Sequence, residues 1–166
     1  LPKKLVDQLI KICKKNKVII TADSQASSQI GDIGKFHSMN LITPTEHEAR
    51  VSTRNNDDGL VVLSEELMKR AKSKNILLKL GADGLLIHNG NKQKKSILTD
   101  RINSLNSAPT DISGAGDSML IAASLSLAVG ANIWESALIG SMAASIQVSR
   151  LGNVPLKSKE LLELLN

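Results

Sequence analysis

Apolar positions along this chain follow two rhythms, a helical one and short unbroken runs. PKKLVDQLIKICKKN places Leu5, Leu9, Ile12 and Cys13 on one face with Pro2 at the first turn, which predicts an amphipathic helix. KVIITAD reads as a short buried strand from Lys17 to Thr21, ending at Asp23. After the polar stretch SQASSQIGDIGKFH, MNLIT predicts a second strand. Thr43-Pro44-Thr45-Glu46 reads as a helix start, with Thr43 as N-cap, Pro44 in the first turn and Glu46 closing a capping box. LVVLSEELMKRAKSK carries Leu60, Leu63, Leu67 and Ala71 on one face, a second helix of helical period. NILLKL is a continuous apolar strand, and GADG turns it into LLIH.

Asn89-Gly90 turns again toward KKSILT, which predicts an antiparallel addition at one edge. From Gly114 onward the pattern is helical, over 117–129, 133–149 and 158–165. Helices alternate with strands through the first half, so the expected class is α/β, with a mostly parallel sheet and helices on its faces. No repeat, linker or low-complexity segment interrupts residues 1–166, and a single domain is expected.

Composition narrows the function classes. Phe36 and Trp134 are the only aromatic residues, so the core must be built from Leu, Ile, Val and Ala. Stacking platforms for single-stranded nucleic acid need rings this chain lacks. The net charge of +5 admits a polyanion partner, yet the lysines fall on helix-like faces and turns, where solvation explains them equally well. A small phosphorylated ligand would gain from the same field. The single Cys13 excludes an internal disulfide and reads as a buried thiol in a reducing, cytoplasmic compartment. No apolar run reaches the length of a membrane span. His37, His47 and His88 lack metal-ligand spacing, and Met39, Met68, Met119 and Met142 read as core filler.

The candidate chemistry begins at DISGAGD, Asp111 to Asp117. Two glycines before an alanine-rich helix would be costly inside it. As a loop they turn sharply and present bare backbone N–H groups at a helix N-terminus, a cradle for a phosphoryl oxygen. Asp117, in the first helical turn, would stand beside whatever the cradle holds. It could take a proton from an attacking hydroxyl, or it could simply complement the helix dipole. This stretch alone does not separate the two.

Three further segments change the balance. LLKLGADGLLI, ITPTEHEA and SRLGNVP accompany DISGAGD in a fixed order over most of the chain. The set resembles the PfkB, or ribokinase-like, carbohydrate kinases: their Asp-Thr-x-Gly-Ala-Gly-Asp signature, strand-turn-strand nucleotide segment, Asn-x-x-Glu segment and cation-closing loop. Within the family, TADSQ, ITPTEHEA and LGNVPLKSKELLE are most similar to the sugar-kinase half of ADP-heptose synthases.

The resemblance implies a ribokinase-like three-layer α/β/α fold and ATP-dependent phosphorylation of a sugar or sugar-phosphate hydroxyl. It implies Asp117 as base, and backbone N–H groups of Gly114, Ala115 and Gly116 holding the developing charge. Glu48, with Thr45, would support Mg²⁺ through water. Lys79, Gly81, Gly84 and the helix around Ser141 and Ala144 would line the nucleotide pocket. Asp111, Ser113, Arg150 and Gly152 would frame a loop for a monovalent cation such as K⁺. Four positions depart from the pattern: Thr45 for Asn, Lys79 for Thr, and bulky Ile112 and Ile121.

Family members also carry an N-terminal portion with a Gly-Gly motif and a small β-sheet lid, neither of which is seen in these 166 residues. The expectation is therefore a nucleotide-binding, base-carrying half, with Mg–ATP binding but negligible sugar phosphorylation when isolated. An unprotected sheet edge would favour pairing between chains. Two other readings stand beside the kinase: a nucleotide-binding or regulatory module without catalysis, and a basic nucleic-acid binder.

Overall fold

The computed structural model describes residues 2–23, 32–90 and 98–165. Helix α1 spans Lys3–Lys15, β1 Thr21–Ala22, β2 Leu41–Ile42, α2 Glu46–Thr53, α3 Leu60–Ala71 and β3 Asn75–Lys79. They are followed by β4 Leu85–Asn89, β5 Leu98–Ile102, α4 Ala115–Ala128, α5 Ile133–Val148 and α6 Ser158–Glu163. The five strands form one sheet in the order β1-β2-β3-β4-β5. Strands β1 and β2 pair in parallel, Thr21 opposite Leu41, and so do β2 and β3, Ile42 opposite Ile76. The expected loop after Asp23 and the segment leading from Asn89-Gly90 into β5 lie largely outside the described residues.

The chain divides into two compact units, Leu1–Lys79 with His88–Asp100, and Leu80–Ile87 with Arg101–Asn166. In the first, Ile76, Leu77 and Leu78 are wholly buried on successive positions of β3, so both faces of that strand are covered. Leu63, Leu67 and Ala71 of α3 are equally buried, and this face of the helix is the one its period predicts. A carboxylate knot ties the 3-10 turn at Ile33–Lys35 to α2 and α3. Asp32 accepts from the Ser52 hydroxyl (2.6 Å) and the Gly34 N–H (2.9 Å), and pairs with Arg70 (2.6 Å). Partial burial pushes the Asp32 carboxyl up, but the Ser52 and Gly34 hydrogen bonds and the Arg70 charge outweigh it and hold it below its ordinary range.

In the second unit α4 and α5 pack closely because Gly140 lies against α4. A Cβ there would stand 3.0 Å from Met119 Cγ and 3.3 Å from the Ala123 methyl. All four methionines are buried, as their role as core filler predicts.

Three expectations are corrected. The buried strand expected from Lys17 to Thr21 is confined to Thr21–Ala22, with Val18 55% exposed. Helix α1 buries Val6 and Ile10, not the Leu5–Leu9–Ile12 stripe, whose members are 40%, 45% and 58% exposed; Cys13 is half-buried and free. Apolar residues at 5, 6, 9, 10, 12 and 13 make one arc wide enough for either edge to face inward. Helix α2 starts two residues later than the sequence indicates. The Thr43 N–H still donates to the Ala22 carbonyl (3.2 Å), so Thr43 belongs to the strand ladder and Thr45 becomes the N-cap.

Gly84 turns β3 into β4 with φ +90° and ψ −127°. A Cβ there would collide with the Ile102 carbonyl oxygen and stand 2.6 Å from the Ser104 nitrogen. Gly84→Ala should therefore cost about 3 kcal/mol or more, combining a forbidden conformation with overpacking, as read by urea unfolding.

His88 is fully buried in β4, with Nδ1 2.8 Å from the Thr99 hydroxyl and, among the described residues, no partner at Nε2. Burial, only partly offset by the Glu65 charge, lowers its pKa. The unfolded chain takes up this proton near pH 6.5 and the folded chain only at lower pH. The contribution is thus complete above pH ~6.5 and is lost as pH falls below it, by at most about 1.4 kcal/mol per unit. Urea unfolding across this range should show the slope, and His88→Gln should flatten it.

Candidate active site

Strand ends in the first unit gather four polar side chains. Asp23 follows β1, Thr45 and Glu48 open the helix after β2, and Lys79 ends β3. Carboxyl ends of parallel strands are where open α/β sheets bind ligands. The Lys79 N–H donates to the Pro44 carbonyl (2.8 Å), and Thr45 and Lys79 form a parallel bridge that brings the two segments together. Lys79 Nζ lies 2.6 Å from Asp23 Oδ2, with both side chains about 15% exposed (15% and 16%). The lysine in the expected nucleotide segment is thus held across β2 by an acid 56 residues away.

Glu48 is 3% exposed and closes the capping box. Its Oε2 accepts from the Thr45 N–H (2.7 Å) and hydroxyl (2.9 Å), while Thr45 Oγ1 accepts from the Glu48 N–H (3.2 Å). Thr45, in the place of the family's usual Asn, therefore spends its side chain on the helix start. Among the described residues no three His, Cys, Asp or Glu side chains group closely enough to hold a metal ion. Magnesium fits here only as part of Mg–ATP, with Glu48 reaching it through water.

The second unit holds the glycine loop. Gly114 takes the left-handed conformation, φ +77°, at the N-cap of α4. The positive φ is what requires glycine; a Cβ at Gly114 would also press on the tip of the exposed Asn153 side chain. The Ala115 N–H donates to the Ile112 carbonyl (3.2 Å) and the Ser118 N–H to the Gly114 carbonyl (2.9 Å). Among the described residues the N–H groups of Gly116 and Asp117 have no partner. They are orphan donors of a 14-residue helix, open to an anion. Asp117 is exposed in the first turn, on the face that also exposes Ile121 and Leu125.

Asp111 organises the approach to this loop. Its Oδ1 accepts from the Ser113 N–H (2.9 Å) and hydroxyl (2.7 Å), and its Oδ2 from the Gly152 N–H (2.9 Å). The Ser113 hydrogen bonds, then that from Gly152, hold its carboxyl below the ordinary range. Arg150 is half-buried and donates to Glu160 (2.9 Å), Gln147 Oε1 (3.2 Å) and the Val154 carbonyl (2.7 Å). Gln147, which sequence reasoning missed, donates to the carbonyls of both Ser113 and Gly152 at 3.0 Å. Those are the oxygens a monovalent cation in this loop would use, so the residues present do not fit one. The signal was a lone amide late in an otherwise apolar helix, three residues before Arg150. Ser141 and Ala144 are half-buried on α5, Gly81 has φ +60° in the turn after β3, and Ile112 is 77% exposed.

The sequence matches the pfkB family carbohydrate kinase pattern over residues 1–159. The chain belongs to the pfkB family. Among curated relatives, bifunctional protein HldE of Sulfurimonas denitrificans is 26% identical over 98% of this chain. The HldE of Shewanella putrefaciens is 29% identical over 94%. The chain spans about a third of each, 32% and 31%. HldE is an ADP-heptose synthase, the group that TADSQ, ITPTEHEA and LGNVPLKSKELLE resemble.

Arabidopsis thaliana ribokinase, complexed with ribose and ATP, superposes with a TM-score of 0.79 at 24% identity, over 99% of this chain and 53% of its own. Escherichia coli phosphofructokinase-2, in complex with potassium, gives 0.78 at 19%, over 98% and 52%. The fold is therefore ribokinase-like α/β with a mixed sheet. Among the described residues no helix is long and apolar enough to cross a membrane.

Glu48→Ala should cost about 1–2 kcal/mol in urea unfolding, since it orphans the Thr45 N–H and opens the capping box. Glu48→Gln should recover most of that loss.

Proposed function

We propose that this chain carries the nucleotide-binding and base-bearing part of a carbohydrate kinase that moves the γ-phosphoryl group of Mg–ATP to a hydroxyl of a sugar or sugar phosphate. The observation that carries the reading is the start of α4. Two unpaired N–H groups, at Gly116 and Asp117, share one helical turn with a carboxylate that accepts no hydrogen bond among the described residues. The donors suit charge building on the phosphoryl oxygens, and the carboxylate suits a hydroxyl losing its proton.

In this mechanism the Gly116 and Asp117 N–H groups bind the terminal phosphate, the Ala115 N–H expected there being engaged by the Ile112 carbonyl, and Asp117 Oδ takes the hydroxyl proton as the alcohol oxygen attacks phosphorus. The P–O bond to ADP breaks and ADP leaves as the product. Glu48 would support Mg²⁺ through water, and the ion would neutralise phosphate charge. Lys79, Gly81, Gly84, Ser141 and Ala144 belong to nucleotide binding by family correspondence. A heptose phosphate is the acceptor we favour, from the resemblance to ADP-heptose synthases. The cytoplasm, which holds ATP, is the compartment.

A second reading has its own support. Lys79 is engaged by Asp23 and Glu48 by Thr45, an arrangement that also suits a module which binds nucleotide without turnover.

Calorimetry should detect Mg–ATP binding to the chain, and the absence of any saturable heat would overturn both readings. Phosphoryl transfer to a panel of sugars and sugar phosphates separates the two. Asp117→Asn should lower kcat about 10²–10⁴-fold while leaving nucleotide affinity nearly unchanged. An unchanged kcat would exclude Asp117 as base.

A further inference from the structure

We propose that Gln147 replaces the monovalent cation in the loop formed by residues 111–113 and 150–152, making this chain's nucleotide loop independent of K⁺. Gln147 is wholly buried near the end of α5. Its Nε2 stands 3.0 Å from the Ser113 carbonyl oxygen and 3.0 Å from the Gly152 carbonyl oxygen. Its Oε1 accepts from the Arg150 guanidinium at 3.2 Å. Chemistry dictates this orientation. Carbonyls only accept and a guanidinium only donates, so the amide nitrogen must face the two carbonyls and the amide oxygen must face Arg150.

A cation in such a loop neutralises converging carbonyl dipoles and holds two chain segments at a fixed separation. The carboxamide does both. Its two N–H bonds put positive charge against both oxygens, and its buried stem ties the loops to α5. Several neighbouring polar groups are also engaged, although Arg150 Nε has no partner among the described residues. Asp111 takes three donors, from Ser113 and Gly152, while the N–H groups of Thr110 and Asp111 reach the Val148 carbonyl at 2.7 and 3.3 Å. Admitting an ion between the two carbonyls would require the amide to swing away, leaving buried N–H groups without partners. The Asp111–Ser113 segment runs directly into Gly114, so Gln147 is a positioning residue that fixes the start of α4 without touching a ligand.

The inference rests on the kinase reading only in its affinity readout; a melting readout stands without it. Thermal melting and Mg–ATP calorimetry are compared in KCl and in tetramethylammonium chloride at equal ionic strength, for the wild-type chain and Gln147→Ala. The wild type should show the same melting temperature in both salts and nucleotide affinities within about twofold. Gln147→Ala should melt lower in tetramethylammonium and recover as KCl rises, saturably, as a vacated site fills. Its affinity for Mg–ATP should rise about 5- to 100-fold with K⁺.

A saturable, K⁺-specific stabilisation of the wild type would overturn the proposal, and that arm decides even where the variant does not fold. Wild-type melting and affinity for Gln147→Ala in both salts would equally overturn it. Loss of Mg–ATP heat from every protein in every salt would defeat the kinase reading, while the melting curves would still decide the role of Gln147.

Discussion

The constraint on which this structure depends is that backbone polar groups released at the ends of elements must find partners. Both units meet it in part with carboxylates at chain turns. Glu48 takes the Thr45 N–H at the start of α2, and Asp111 takes the Ser113 and Gly152 N–H groups before α4. The carbonyls left by the second arrangement converge on Gln147. Helix starts leave such donors elsewhere too, but at α4 the unengaged N–H groups of Gly116 and Asp117 follow a glycine loop and share their turn with an exposed carboxylate.

Elements with one strong signal were legible in the sequence. The buried run NILLKL and the single apolar face of α3 admit only one reading, and the boundaries of α4, α5 and α6 follow the helical period to within two residues. Ambiguity arose where two signals competed. Helix α1 has apolar residues on a broad arc, so period alone cannot choose between Leu5–Leu9 and Val6–Ile10. At α2, Thr43 and Thr45 are both competent caps. The choice is made by pairing of Thr43 with Ala22, a tertiary contact that no local rule contains.

The candidate site shows the same division. The glycine loop was visible because a positive φ at Gly114 favours glycine there. The partners that give its neighbours their character were not. Lys79 meets Asp23 across 56 positions, and Gln147 meets Ser113 across 34. The departures from the family pattern gain a physical sense from these contacts. Thr45 trades an amide for a hydroxyl that caps a helix, and Lys79 trades a neutral donor for a charge balanced by Asp23. Ile112 is 77% exposed and Ile121 59%, so their bulk meets no resistance within the chain.

These pairings also separate the acids by what they can do. Asp32 and Asp111 have their carboxyls held low by several donors, Asp23 is ion-paired, and Glu48 is tied to Thr45. A carboxylate whose lone pairs are already committed is a poor proton acceptor, because protonation must first break the hydrogen bonds that stabilise its charge. Asp117 carries no such commitment among the described residues, and it sits one position from the free Gly116 N–H. Of these five acids, it is the one that can receive a proton without dismantling the structure around it. That difference supports the role of base that the family resemblance implies for it.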